Sequence, residues 1–183
     1  MKAAAFLLCV LILMPPQEAI SGGNSEHSEW SGTYSPYQLF SAQVIRDSDS
    51  WSQLWAELRR PPPQVIHAGR HMALAVFLGL RRTSGYDLVI EPAGQTETVQ
   101  LFRVRELAPA PDAFVARVLT TPYRIIVLPA STRAVLFLAG FDGAASGECL
   151  YIPAGEQGRA EKATQLPDNP PCSKIPVQPN EGS

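Results

Sequence analysis

Several features of common protein classes are missing from this 183-residue chain. Basic residues are not in excess, because 15 lysines and arginines face 17 aspartates and glutamates, and the formal net charge is -2. This balance argues against a nucleic-acid-binding protein. The sequence has neither a Gly-x-Ser-x-Gly nucleophile elbow nor a phosphate-binding loop ending in Gly-Lys-Ser or Gly-Lys-Thr. An enzyme is therefore not predicted, and a hydrolase with a spatially assembled site is the lowest-ranked hypothesis.

The N-terminus has the order of a secretory signal peptide over residues 1–21. Lys2 precedes an unbroken apolar run over residues 3–14, and Ala19-Ile20-Ser21 supplies a small-residue cleavage site. The run is shorter than the about 20 apolar residues that a spanning helix needs. We therefore expect a periplasmic or secreted protein with no stable membrane span after cleavage. An uncleaved anchor is the alternative.

Cysteine is scarce, and only two of the three cysteines lie beyond the predicted signal peptide. An even pair in an exported chain predicts a disulfide between Cys149 and Cys172, with two free thiols as the alternative. Residues 141–183, which contain both, are rich in glycine and proline and are predicted to form an irregular tail. Residues 22–36 are polar and are predicted to be a disordered leader.

Histidine gives no convincing metal site. The spacing of His67 and His71 would suit two zinc ligands on one face of a helix. However, residues 61–63 are three prolines that stop the preceding helix, and a strand is predicted to follow. The only other histidine, His27, falls in the predicted leader. We therefore predict neither a metal ion nor a cofactor.

One short amphipathic helix is predicted before the prolines. Four large apolar residues fall on one helical stripe, at spacings of three, four and seven residues: Trp51, Leu54, Trp55 and Leu58. Asp47-Ser48-Asp49-Ser50 offers several possible helix caps, and Ser50 has capping-box spacing to Gln53. Arg59 and Arg60 would lie in the last turn, where they suit the helix dipole. The stripe predicts that the tryptophans are core residues and not an exposed aromatic patch.

The rest of the domain is predicted to be β-structure. Apolar or alternating segments separated by turn residues predict strands at 37–46, 72–80, 86–91, 99–106, 114–119, 123–128 and 134–138. In the strand at 99–106, Phe102 and Val104 should face one way, and Arg103 and Arg105 the other. We predict an α+β, β-rich domain over residues 37–140, with an antiparallel sheet or half-barrel packed against one short amphipathic helix.

Two segments are candidates for contact with a partner. The first is the loop between two strands that contains Arg81, Arg82, Thr83, Ser84, Gly85 and Tyr86. A turn kept soluble by arginine is the alternative, and residue chemistry alone favours it. The second is Tyr123, whose hydroxyl could reach a partner from the start of a strand. Packing at the strand start is the alternative there and is the favoured interpretation.

The order of these elements resembles the PrcB-like C-terminal domain family over residues 41–138. The likeness rests on the tryptophan helix at 49–55, on Arg82-Thr83-Ser84-Gly85-Tyr86 with an apolar strand behind it, and on the Pro-Tyr strand at 121–129. Residues 65–71 depart from the family pattern. The family is named after a lipoprotein subunit that stabilises a surface protease complex. The resemblance therefore implies a non-catalytic, envelope-associated domain with an unidentified protein partner, for which a protease is a candidate.

Two functions follow as expectations. The first is a protein-interaction module, such as an accessory or stabilising subunit of an envelope protease complex, with its contact at the loop from Arg81 to Tyr86. The alternative is a periplasmic small-ligand or anion binder. In that case Arg81, Arg82, Arg103 and Arg105 would meet on one side of the sheet and hold a carboxylate or phosphate.

Overall fold

The computed structural model describes residues 28–140, 148–155 and 158–161. Within these ranges the chain forms one helix and nine strands, in the order β1 (Glu29–Gly32), β2 (Ser41–Ile45), α1 (Ser48–Glu57), β3 (His71–Phe77), β4 (Asp87–Gln95), β5 (Val99–Leu107), β6 (Tyr123–Pro129), β7 (Ala134–Gly140), β8 (Glu148–Ile152) and β9 (Gly158–Glu161). The predicted α+β, β-rich class with one short helix is confirmed.

The strands form two sheets. The first has the order β1-β6-β3-β2-β9 and the second the order β4-β5-β7-β8. Neighbouring strands pair antiparallel except for β5 and β7, which pair parallel, with Phe102 opposite Phe137. Antiparallel pairing of adjacent strands was expected, but β6 intervenes in sequence between β5 and β7 and lies in the other sheet.

The position of β3 in the fold explains why its sequence is almost entirely apolar. Met72, Leu74 and Val76 pack between the two sheets, together with residues of β5 and β7. The alternate residues Ala73, Ala75 and Phe77 pack on the opposite face, against the helix. A central strand covered on both faces needs apolar residues at every position.

The helix buries the predicted apolar stripe, and Asp47, one of the candidate caps, is its N-cap. Trp51, Leu54 and Trp55 are buried, as the spacing indicates. The side chain of Asp47 accepts hydrogen bonds of 2.8 Å from the backbone N–H groups of Asp49 and Ser50. The capping box predicted at Ser50 and Gln53 is therefore wrong, because Asp47 already satisfies the first-turn donors.

The predicted position of the two arginines after the helix is also wrong. The helix ends at Glu57, and no basic residue lies in its last turn. Arg59 has a φ of 56°, in the left-handed region, and donates its backbone N–H to Ala56. Arg59 and Arg60 thus follow the helix end and do not face its carbonyl groups from within the last turn.

Residues 28–36 were expected in a disordered leader, but they form an ordered edge of the first sheet. Strand β1 pairs with β6, and Thr33 accepts a hydrogen bond of 2.9 Å from the backbone of Thr121. Trp30 packs 5.8 Å, between ring centroids, from both Trp51 and Trp55. The gain from burying an indole ring outweighs the weak strand propensity of the polar residues around it.

Two other predicted boundaries differ from the structure. Residues 114–119 form no strand, and Phe114 and Leu119 are exposed. The segment expected to be an irregular tail contains β8 and β9, which complete the edges of both sheets. The predicted signal peptide over residues 1–21 lies outside the described residues.

Candidate functional site

Three loops meet at one end of the two sheets, where β1, β3 and β5 end and β2, β4 and β6 begin. We call this the apolar end and define it by residues 33–40, 78–86 and 108–122. Backbone hydrogen bonds join the loops: Leu80 donates to Gln38 at 2.9 Å, and Arg81 and Thr120 exchange bonds of 2.8 and 2.9 Å. The three loops therefore form one connected surface.

This surface gathers nearly all the exposed large apolar side chains. Seven such side chains are found within the described ranges, and Val65 is the one that lies elsewhere. The six at the apolar end are Tyr34, Leu39, Leu80, Phe114, Val118 and Leu119. Scattered apolar residues on a surface need no explanation, but their concentration on connected loops makes the apolar end a candidate functional site.

Arg81 is held by contacts within this end and is only partly exposed. Its guanidinium forms a two-pronged salt bridge to Glu106, with Nε–Oε1 and Nη2–Oε2 distances of 2.6 and 2.9 Å. The Nη1 atom donates to the backbone carbonyls of Leu78 and Leu80 at 2.9 and 3.0 Å. The guanidinium carbon also lies 5.8 Å from the ring centre of Tyr86. These contacts use the donors of Arg81 within the fold.

The next residues of the predicted contact loop are tied to the segment before β6. Ser84 exchanges two hydrogen bonds of 3.0 Å with the backbone of Ala116. Thr83 accepts a bond of 3.0 Å from the Thr120 hydroxyl at its carbonyl oxygen. Gly85 has a φ of +90°, and a Cβ there would lie 3.0 Å from Pro109. The loop therefore needs glycine at this position and is a docked segment, not a free hairpin turn.

The two tyrosines proposed for partner contact belong mainly to the core. Tyr86 is half-buried and packs against the cluster between the sheets. Tyr123 is 1% exposed, and its ring lies against Gly32 with the Phe77 ring centroid 6.1 Å away. The expectation that the Tyr123 hydroxyl reaches a partner is not met, because the hydroxyl is buried and finds no hydrogen-bond partner in the described part of the chain. Of the predicted set, Arg82 and Gly85 are the exposed members.

The four arginines proposed as an anion site do not meet. Arg103 and Arg105 lie on the exposed face of β5, where Arg105 pairs with Glu91 at 3.2 Å. Glu106, which holds Arg81, is the next residue and lies on the opposite face of the same strand. Arg81 is thus separated by the sheet from Arg103 and Arg105, and this version of the anion-site hypothesis, in which all four arginines meet, is wrong.

A cleft opens at the other end of the two sheets. Its volume is about 750 Å³, and it lies where β3 and β5 begin and where β4 and β6 end. Arg46 donates to the backbone carbonyls of Ser131 and Arg133 at 2.9 and 2.7 Å, which fixes the loop between β6 and β7. Burial lowers the pKa of Arg46 from its ordinary value.

The comparison with known families concerns the segment that carries most of the apolar end. Residues 72–129, from β3 to β6, match the family model described as PrcB C-terminal. The chain contains a PrcB-like C-terminal domain. No curated protein and no solved structure matches the chain.

Within the PrcB-like domain, Arg124 joins the matched segment to its surroundings. Its guanidinium binds Glu29 of β1 and, at 2.7 Å, the Asp87 carboxylate of β4. It thereby connects an edge strand of the first sheet with an edge strand of the second. Burial lowers the pKa of Arg124 from its ordinary value. Sequence reasoning assigned Arg124 no role, since neither partner is near it in sequence.

Three further predictions for the chain concern a metal ion, a disulfide and a membrane span. In the described residues, no three histidine, cysteine or acidic side chains form a group suited to a metal ion. The His67 and His71 rings lie 6.1 Å apart. Cys149 lies in β8, but Cys172 is outside the described residues, so the disulfide stays a prediction. The described part of the chain contains no helix with the length and apolar character that a membrane crossing needs.

Proposed function

We propose that this chain is an exported, non-catalytic accessory subunit that binds a protein of an envelope protease complex through its apolar end. The observation that carries the proposal is the concentration of exposed apolar side chains on three loops that are hydrogen-bonded to one another. The match to the PrcB C-terminal family supports the kind of partner, because that family is named after a protease-complex subunit. The signal-peptide pattern supports export.

The charges at the apolar end indicate what the partner surface should carry. Arg82, Arg117 and Asp112 are exposed on these loops, whereas Arg81 is neutralised by Glu106. The surface thus combines exposed apolar side chains with one net positive charge among its exposed residues. We expect a partner surface that combines apolar and acidic side chains, because complementary charges favour the correct encounter.

The test compares two apolar-to-serine substitutions that differ in location. Leu119→Ser removes an exposed apolar side chain from the apolar end, and Val65→Ser removes the one exposed large apolar side chain found elsewhere in the described ranges. Each tagged variant is expressed in the source cell, cross-linked mildly and purified from the envelope fraction. Mass spectrometry then identifies the recovered proteins.

Wild type and Val65→Ser should both recover a component of a protease complex, and Leu119→Ser should recover at least tenfold less. The magnitude follows because burial of one leucine side chain contributes about 1.5–3 kcal/mol, and 1.4 kcal/mol corresponds to a factor of ten. Thermal unfolding of the purified variants controls for folding. Equal recovery with all three chains, or recovery of the chain alone, would contradict the proposal. N-terminal sequencing of the envelope-derived chain tests export separately.

A further inference from the structure

The cleft at the end opposite the apolar end has the size of a small-molecule site. Its volume of about 750 Å³ falls within the about 300–1,000 Å³ of typical ligand pockets. The irregularity in β4 helps to shape it, since the register with β5 shifts between Pro92 and Gly94, and both residues line the cleft. Bulges of this kind often occur beside binding sites.

The walls of the cleft combine apolar surface with positive charge. Four apolar residues line the cleft, Leu101, Phe102, Leu128 and Pro129, and of these Phe102 and Leu128 belong to the apolar cluster between the sheets. The charged or ionisable side chains among its described lining residues are Arg46, His71 and Arg133, and none of these lining residues is acidic. This composition favours a ligand that carries both an apolar body and a negative charge.

Arg133 is the cation best placed to receive that charge. Its Nε donates to the Glu97 backbone carbonyl at 3.1 Å, and its Nη1 donates to the Gln95 side-chain oxygen at 2.9 Å. Both acceptors are neutral. Within the described residues, Arg133 forms no salt bridge and its Nη2 donates to no protein group. Arg133 is therefore oriented by two contacts and keeps donors for an anion.

Gln100 provides a hydrogen-bond acceptor, whereas Arg133 provides donors. Its Oε1 is buried and has no hydrogen-bond partner in the described part of the chain. An unsatisfied buried acceptor of this kind costs about 1–3 kcal/mol. A rotation of the Gln100 side chain would bring Oε1 into the cleft that this residue lines, and a ligand N–H that met it there would remove that cost. The cleft then offers one acceptor in addition to its cation.

We propose that the cleft binds the C-terminal residue of a peptide with an apolar side chain. The carboxylate would accept hydrogen bonds from Arg133, the amide N–H of the same residue would donate to Gln100, and the side chain would lie against Phe102 and Leu128, which share the face between the sheets. Inorganic phosphate matches the charge but leaves the apolar surface uncovered. A free fatty acid matches the charge and the apolar surface but has no N–H for Gln100.

The test is a titration of the isotope-labelled full chain, followed by NMR of the backbone amides. The probes are N-acetyl-leucine, its uncharged analogue N-acetyl-leucinamide, hexanoate and inorganic phosphate. N-acetyl-leucine should shift the amides of residues 95, 100 and 131–133. N-acetyl-leucinamide should bind at least tenfold more weakly, because the charge-assisted hydrogen bond to Arg133 is lost. Hexanoate should bind severalfold more weakly, because it lacks the N–H.

Variants separate the two contacts. Arg133→Met should weaken N-acetyl-leucine binding at least tenfold, and Gln100→Leu should remove the preference over hexanoate. Arg103→Met is the matched control, because it removes one positive charge from the exposed face of β5, and it should leave binding unchanged. Thr132→Glu covers the case in which Arg133→Met fails to fold. It adds a negative charge to an exposed lining residue and should also weaken binding at least tenfold.

Three results would overturn the proposal. One is equal affinity for N-acetyl-leucine and N-acetyl-leucinamide, which would show that the cleft does not recognise the carboxylate. Another is phosphate binding as tight as that of N-acetyl-leucine. The third is the absence of any saturable shift at the cleft residues with N-acetyl-leucine. The apolar end takes no part in these experiments, so their failure leaves the proposed protein contact untouched.

Discussion

Two neighbouring arginines of the apolar end should respond very differently to the same substitution. Arg81 and Arg82 are adjacent in sequence, but Arg81 is bound to Glu106 and two carbonyl groups, whereas Arg82 is exposed. Methionine keeps much of the apolar length of arginine and removes its charge and donors. We therefore compare Arg81→Met with Arg82→Met.

The expected difference follows from the burial of the pair. The side chain of Glu106 is 10% exposed and that of Arg81 is 21% exposed. Removing one partner of a buried ion pair typically costs about 3–5 kcal/mol, because the other charge stays desolvated. The partial exposure of Arg81 reduces this to about 2–4 kcal/mol of unfolding free energy. Arg82→Met should change stability by no more than about 0.5 kcal/mol, as exposed substitutions usually do.

The assay is equilibrium unfolding in urea, followed by tryptophan fluorescence. All three tryptophans of the chain, Trp30, Trp51 and Trp55, lie in one cluster at the helix, so their emission reports on the folded domain. The double variant Arg81→Met/Glu106→Gln tests the cause. It should be more stable than Arg81→Met alone, because the buried charge has gone. Equal unfolding midpoints for Arg81→Met and Arg82→Met would refute the reasoning.

The remaining predictions concern the edge strand β1 and its neighbour β6 in the first sheet, and the same urea assay checks them. Gly32→Ala should destabilise the domain by about 1–3 kcal/mol, because its Cβ would lie 2.5 Å from a ring carbon of Tyr123. Tyr123→Phe should leave the free energy of unfolding unchanged or raise it by up to about 1 kcal/mol, since the buried hydroxyl has no partner in the described residues. A large loss of stability would contradict this, because it would mean that the hydroxyl forms a hydrogen bond. Trp30→Ala should lower the free energy of unfolding by about 1–3 kcal/mol, less than the loss of a fully buried tryptophan would, because Trp30 is only partly buried. Tyr34→Ala is the exposed control. If Trp30→Ala changes stability as little as this control, residues 28–36 behave as the predicted disordered leader.

Sequence patterns predicted the elements whose cause is local. The stripe of Trp51, Leu54 and Trp55 and the apolar run of β3 both reflect burial that recurs at a fixed spacing. The segment 114–119 shows the limit of this reasoning, because its apolar residues have a strand-like composition but no neighbouring strand. Apolar residues that stay exposed for contact look the same in sequence as apolar residues that pack.

Trp30 shows the opposite limit. It stands alone among polar residues, and a strand of four residues gives too short a pattern to detect. Its position follows from the pairing of β1 with β6, about 95 residues later, where Trp30 lies opposite Ile125. A lone large aromatic residue in a segment assigned to disorder was the one available signal. Long-range pairing of this kind has no counterpart in local periodicity.

That the loop from Arg81 to Tyr86 contacts a partner stays a prediction, but the structure shows that its members differ in exposure in a way the sequence did not indicate. Arg81 and Arg82 have the same side chain, and only the fold brings Glu106 to one of them. Similarly, Gly85 is required by its φ of +90° and its closeness to Pro109, which a neighbouring loop supplies. The residues that remain for a partner are those that the other loops leave uncovered.

The layering of the domain explains why both candidate sites lie at its ends. The first sheet is covered on one face by the helix and on the other by the second sheet, so neither covered face can hold a surface site. The second sheet exposes a face with charged residues such as Arg103 and Arg105. Within the described residues, the loops that carry most of the exposed large apolar side chains lie where the strands turn, at the apolar end. The cleft lies at the other end of β3 and β6, so each of these strands holds one site at each end in a fixed relation to the other.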